Sequence, residues 1–215
     1  MNLTSTLFML AALLGIFIVL DSQKHHFYIY DQNKLHALVQ NVIKDKGSNG
    51  QLEPMIDAIV TSLNQTYPGS INMDRTWMFN NAGGAMGAMY IVHASLTEYL
   101  LIFGTPVGTE GHTGRYWADD YFIILKGEQW AFRPGQFEKM VFKAGEMHHL
   151  PRGVAEQYRM PEGCFALEYA RGWIPLMLPF GSLDTFTSTL DFPSLGIAIW
   201  TYAKCILTNL AHGKI

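Results

Sequence analysis

Chemistry in this chain must come from few charges: of 215 residues, 15 are Lys or Arg and 18 are Asp or Glu. Two carboxylate positions have surroundings that suit proton transfer. Glu168 lies in the run Cys164-Phe165-Ala166-Leu167-Glu168-Tyr169-Ala170. Strand alternation would set Cys164, Ala166, Glu168 and Ala170 on one face and Phe165, Leu167 and Tyr169 on the other. Small neighbours leave room for a ligand, so Ala166 is a candidate contact. Desolvation there disfavours the carboxylate and raises its pKa, which keeps a proton donor available near neutral pH. The alternative is a rim glutamate paired with Arg171 or Arg159. The second position is Asp119-Asp120. Adjacent strand residues face opposite sides, so at most one acid points inward. Asp120 shares parity with Phe122 and Ile124, and Asp119 with Tyr121 and Ile123. Tyr99 is a candidate hydrogen-bond partner for an inward acid, or an ordinary half-buried aromatic.

Other chemistries fare worse. Eight histidines are present, and His148-His149 is the obvious pair. Neighbours on a strand diverge, so they cannot converge on one ion. The segment Arg115-Tyr116-Trp117-Ala118-Asp119-Asp120 supplies no further histidine pair. His148 reads as polar lining or as a hydrogen-bonded loop residue, and no metal site is expected. Gly83-Gly84-Ala85-Met86-Gly87 lacks a following Lys-Ser/Thr, so it reads as a tight turn or close packing, not a phosphate loop. A Gly-x-Ser-x-Gly elbow is absent. Carboxylate acid–base chemistry remains, and it needs no cofactor.

The acids require strands to position them. From residue 77 the chain breaks into short apolar runs: 89–94, 97–103, 116–125, 129–132, 139–142, 155–159 and 164–170. Glycine and proline turns separate them, at Gly104-Thr105-Pro106, Pro134-Gly135 and Pro161-Glu162-Gly163 among others. Many short strands at fairly even spacing predict a sandwich or barrel. Upstream, residues 31–46 and 52–67 carry apolar residues at i, i+3, i+4 spacing, with Asp31 as a cap and residues 47–50 as a turn. Both helices are amphipathic and should cover the strands.

Both ends of the chain are apolar. Residues 7–20 hold no polar side chain, and with the uncharged residues before them they approach the length of a bilayer span. A retained anchor fits better than a cleavable signal, since neither a basic leader nor small residues at a cleavage point are present. After Arg171 only Asp184, Asp191, Lys204 and Lys214 are charged. Residues 180–190 and 193–211 read as helices, buried or in lipid. The two cysteines, Cys164 and Cys205, could bridge or stay as buried thiols. With a net charge of -3 no basic excess exists for a phosphate backbone, so nucleic acid is not an expected partner.

Two further segments resemble cupins, which are double-stranded jelly rolls with a ligand cavity. Tyr121-Phe122-Ile123-Ile124-Leu125-Lys126-Gly127 looks like their first motif, and residues 143–153 look like their second. Four more segments strongly resemble the fungal sterol 8,7-isomerase and sigma receptor family. They are Asn80-Asn81-Ala82-Gly83-Gly84-Ala85-Met86-Gly87-Ala88-Met89, His93-Ala94-Ser95-Leu96-Thr97-Glu98-Tyr99-Leu100, Gly111-His112-Thr113-Gly114-Arg115-Tyr116-Trp117-Ala118 and Glu168-Tyr169-Ala170-Arg171-Gly172. The run Asp119-Asp120-Tyr121-Phe122 looks like the fungal enzyme, not the animal receptor.

The resemblance implies a mainly β protein with four parts. Residues 1–22 would be a single transmembrane anchor, 23–76 amphipathic helices, 77–174 a cupin-like barrel enclosing the ligand, and 175–215 two membrane-associated helices. It implies residence in the endoplasmic reticulum and a homo-oligomer, trimeric in the receptor branch. It implies isomerisation of a sterol double bond from position 8 to 7 in ergosterol biosynthesis, without cofactor. A binding protein for cationic amphiphiles that does no chemistry is the alternative. Glu168 matches the family's ligand-binding glutamate, and the family's second acid falls at Phe122 in an ungapped match. Asp120, with the same parity, is therefore the expected partner, and Asp119 the fallback. Tyr99, Phe122, Ala166, His148 and Trp117 are the expected substrate contacts. The expected ligands are a sterol, amine inhibitors that mimic a cation, and membrane lipid, with the segment 174–210 as the doorway.

Overall fold

The computed structural model describes residues 2–46 and 51–215. The expected turn at 47–50 lies outside the described residues. The first helix, α1, spans Leu3–Gln23 and is capped by the Asn2 side chain, which accepts from the Ser5 amide at 2.9 Å. None of its residues is buried. An apolar helix of 21 residues with no protein to cover it is long enough to cross a bilayer.

Helices α2 (Gln32–Lys46) and α3 (Leu52–Thr66) follow. Asp31 starts α2, its Oδ1 accepting from the amides of Asn33 and Lys34. Ten strands come next: β1 Met78–Ala82, β2 Ala85–Ala94, β3 Glu98–Thr105, β4 Thr109–His112, β5 Ala118–Lys126, β6 Glu128–Phe132, β7 Met140–Lys143, β8 Met147–Leu150, β9 Gln157–Met160 and β10 Cys164–Gly172. They form two antiparallel sheets, ordered β1-β2-β3-β10-β5-β8 and β4-β9-β6-β7. This is the expected cupin-like arrangement. Three strands, β1, β4 and β8, were not anticipated, because they are short and interrupted by polar residues (Asn80-Asn81, Glu110 and His112, His148-His149), which leaves no apolar run.

The Gly83-Gly84 turn joins β1 to β2. Both glycines have positive φ, 61° and 84°, as a two-residue hairpin matching the twist of its strands requires. A Cβ on Gly83 would collide with the His112 carbonyl and the Phe180 ring. The glycine run therefore shapes a hairpin and its close approach to β4, as the turn-or-packing reading expected.

The large sheet has two unlike faces. Leu100, Ile102, Ile123, Leu125, Leu167 and Tyr169 point outward, where Leu35, Val39, Ile59, Val60 and Leu63 of α2 and α3 bury them. Each such aliphatic side chain contributes about 1.5–3 kcal/mol when fully buried. Leu101, Phe103, Phe122, Ile124, Ala166 and Ala170 point the other way. They meet Met160 of the small sheet and Ile174, Met177, Ala198 and Cys205 of the C-terminal segment. That segment runs from a 3-10 turn at Ile174–Leu176 through α4 (Leu178–Asp184) and a π turn (Thr185–Thr189) to α5 (Phe192–Ala211). Helix α5 packs on β1 and β2. Cys164 and Cys205 are buried free thiols.

Candidate functional site

The inner face of the large sheet does not close over itself. Between it, the small sheet and the C-terminal segment lies a cavity of about 990 Å³, within the range of small-molecule sites. Apolar and aromatic residues dominate its wall, among them Met89, Leu101, Phe103, Phe122, Met177 and Phe180. Three carboxyls line it, Asp120 and Glu168 from the large sheet and Asp191 ahead of α5, and Tyr99 of β3 stands level with Asp120 across β10.

Strand pairing explains the convergence. Glu168 of β10 stands opposite Phe122 on β5 and Leu101 on β3. Ala170, two residues on, stands opposite Asp120 and Tyr99. All share the inner face by alternation. The Tyr99 hydroxyl donates to Glu168 Oε1 in a short bond. Tyr99 is thus the hydrogen-bond partner of an inward acid that the sequence suggested, donating to Glu168 and lying within reach of Asp120 as well. Asp120 is 2% exposed, and among the described residues its Oδ1 has no hydrogen-bond partner.

Burial pushes the Glu168 carboxyl up to about 7, against the Tyr99 hydrogen bond, which favours the carboxylate. Asp120 is raised well above the usual carboxylate range, first by burial and then by the charge of Glu168. The two acids feel each other's charge in an apolar wall, so they titrate as a pair, with both carboxyls held above the usual range.

Neither arginine suggested as a partner reaches Glu168. Arg171 donates to the Gln32 side chain at 2.8 Å and to the Tyr121 hydroxyl at 2.7 Å, on the outer face. Arg159 lies 3.6 Å from Glu110. The rim reading is thereby excluded by geometry.

Of the other expected contacts, Phe122 lines the cavity, and Ala166, His148 and Trp117 do not. Ala166 lies on the Glu168 face, but its register partners Phe103 and Ile124 cover it completely. His148 points inward beyond Phe122, whose ring stacks on it at 5.7 Å. There it is locked, with Nδ1 3.0 Å from Gln129 Oε1 and Nε2 2.8 Å from Glu156 Oε2. Trp117 has the parity of Asp119 and lies outside, half exposed beneath the Arg152 guanidinium at 4.1 Å. Asp119 also lies outside, 2.9 Å from His149 Nε2. It shares neither cavity nor face with Glu168. Among the described residues, no group of three His, Cys, Asp or Glu side chains could hold a metal ion.

The sequence reading missed Tyr116, Tyr158 and Tyr202, which line the cavity from a loop, the small sheet and α5. Alternation alone marks none of them, because the fold, not the local pattern, aims them at the acids.

Comparison with known proteins bears on these residues. Residues 7–214 match the model of a family described as ERG2 and Sigma1 receptor like protein. A C-8 sterol isomerase of Aspergillus fumigatus is 54% identical over 201 residues, which cover 93% of this chain and 83% of the relative. A sigma non-opioid intracellular receptor 1 of Xenopus tropicalis is 37% identical over 182 residues, 84% of this chain and 80% of the receptor. Among solved structures, an RmlC-like cupin from Shewanella frigidimarina aligns with 47% of this chain and 89% of its own at 14% identity, with a TM-score of 0.40.

Proposed function

The chain belongs to the ERG2 and Sigma1 receptor like family, and from that membership and its buried acid pair we propose that it is a sterol Δ8-Δ7 isomerase. The 54% identity to a fungal C-8 sterol isomerase supports the reaction class. The observation that carries the chemistry is the pairing of Asp120 and Glu168 on one face of an apolar cavity, with Tyr99 bonded to one of them.

Moving the double bond from 8(9) to 7(8) needs a proton added at carbon 9, a tertiary cation at carbon 8 and a proton lost from carbon 7. One proton enters and one leaves, so no redox cofactor is required. The two acids divide the work unequally. Tyr99 donates to Glu168 Oε1 and also lies within hydrogen-bond reach of Asp120, which is the more deeply buried of the two and whose Oδ1 has no partner among the described residues. The proton therefore resides on Asp120, which donates it. Glu168 is the carboxylate that stabilises the cation and accepts the carbon 7 proton. This reverses the assignment favoured by sequence alone, which made Glu168 the main acid. Tyr99, beside both acids, offers the route that returns the proton to Asp120 and resets the site.

The same pair would hold a protonated amine, so amine-bearing amphiphiles should inhibit as mimics of the cation. The exposed apolar residues of α4, the π turn and α5, including Leu183, Phe186, Ile199 and Trp200, support a membrane-lying C-terminal segment through which sterol reaches the cavity. Helix α1 as anchor supports membrane attachment, and the endoplasmic reticulum is the membrane proposed. The four-part division drawn from the sequence and a trimeric assembly belong to the same proposal.

Expression in cells that lack sterol C-8 isomerase tests the reaction. Loss of the accumulated 8-unsaturated sterol is the expected result. Unchanged sterols beside high-affinity binding of a cationic amphiphile would favour a receptor-like role instead.

A further inference from the structure

The acid pair divides the cavity into a deep end and an end closed by the C-terminal segment. Tyr116 belongs to the second, since its ring meets Phe180 of α4 edge-on at 5.4 Å. Tyr202 belongs there too, being on α5. Tyr158 is different. It comes from β9 in the small sheet, and its ring stacks on Phe122 at 6.5 Å. Phe122 is the residue directly across from Glu168. Behind it, His148 lies stacked against Phe142 at 4.3 Å and closes that end.

The tyrosine hydroxyls Tyr30, Tyr90, Tyr99, Tyr121 and Tyr169 all have hydrogen-bond partners. Among the described residues, the hydroxyls of Tyr116, Tyr158 and Tyr202 have none, and all three line the cavity; of these, only Tyr158 stands on the small-sheet side. Burial and the charges of Glu168 and Asp120 push its phenol above the ordinary range. The group therefore keeps its proton and both donates and accepts.

We infer that Tyr158 binds the substrate's 3-hydroxyl, so that the sterol lies ring A inward with its alkyl tail toward α4 and α5. This rests on the isomerase reading above. With carbons 7 to 9 held at the acids, carbon 3 lies less than two rings away on one side. Ring D and the side chain make a much longer arm on the other. The deep end, bounded by Phe122 and the Phe142-His148 stack, suits the short arm. The C-terminal side, lined through Phe180 to Ser194, suits the long one. A hydroxyl at the deep end finds Tyr158, whereas a tail there would leave that phenol unpaired.

The test compares a Δ8-sterol bearing a free 3β-hydroxyl with its 3-deoxy analogue, on wild type and on Tyr158→Phe. Wild type should prefer the hydroxylated sterol by about tenfold in kcat/KM. Tyr158→Phe should lose that preference through a higher KM, with unchanged turnover of the 3-deoxy sterol and an unchanged pH profile. Equal use of both sterols by wild type overturns the inference, and this arm stands even where the variant fails to fold. Retention of the preference by Tyr158→Phe also overturns it, as does an equal fall in kcat on both sterols. Conversion of neither sterol by wild type is failure of the isomerase reading. In that case displacement binding of the same two sterols still decides the inference, and equal affinity refutes it.

Discussion

Glu98 and Glu168 sit on paired strands of one sheet, and the two faces of that sheet treat a buried carboxyl in opposite ways. Glu98 lies on the face covered by α2 and α3 and is fully buried. It accepts from the Ile29 amide at 2.6 Å, the Tyr30 amide at 3.2 Å, the Tyr169 hydroxyl at 2.7 Å and the Lys214 ammonium at 2.6 Å. These bonds tie the segment after α1 and the chain's last residues to β3 and β10. Glu168 faces the cavity with one phenol donor and a second acid for a neighbour. A carboxylate whose lone pairs are all satisfied, one of them by a cation, has no reason to move a proton. A pair of carboxyls left short of donors holds a proton that it can give to a substrate. Burial is common to both, and compensation separates structure from chemistry.

Four substitutions would break or sharpen that contrast. The largest effect belongs to Glu168→Gln and Asp120→Asn, each expected to lower turnover by about 10⁴-fold while leaving the fold intact. Sterol conversion by purified variants measures it, and activity within tenfold of wild type removes that residue from the mechanism. Next comes Glu98→Gln. It leaves the Lys214 ammonium without its carboxylate and should cost about 3–5 kcal/mol in chemical denaturation. Turnover per folded molecule should stay near wild type, because Glu98 does not line the cavity.

The pH dependence of stability is smaller and opposite in sign. Glu168 holds its proton to about 7, against an ordinary value of 4.5. Between those values the unfolded chain has lost the proton and the native protein has not, so native stability falls as pH rises through that window. Glu168→Gln removes the penalty and should raise stability by about 1–3 kcal/mol at pH 8, with little change at pH 4. A variant less stable than wild type at pH 8 contradicts the account of Glu168 as an uncompensated acid. The smallest effect is that of Asp119→Asn. It loses one exposed pair with His149 and should shift stability by no more than about 0.5 kcal/mol, with turnover retained.

Much of this was legible in the chain. Period-two alternation placed Glu168, Asp120 and Phe122 on one face, because strand geometry leaves a side chain no other choice. Amphipathic spacing marked α2 and α3 as covers for the opposite face. Parity failed where something besides direction decides contact. Ala166 points correctly and is sealed by Phe103 and Ile124. His148 points inward but is taken up by Glu156, 8 residues ahead on another segment. The role of Glu98 was hidden for the same reason. Its partners Ile29, Tyr30 and Lys214 lie 69, 68 and 116 residues away, and no local pattern encodes such distant pairings. Tyr158 reaches the acids only because the small sheet folds over the large one.

The central claim is that the acid pair adds one proton to the sterol and removes another. Conversion of a Δ8-sterol in deuterium oxide by the purified protein tests it most directly. The account predicts a Δ7-sterol from wild type with one solvent deuterium at carbon 9, and no product from Glu168→Gln. A Δ7-sterol without solvent deuterium at carbon 9, or equal conversion by the variant, would contradict it.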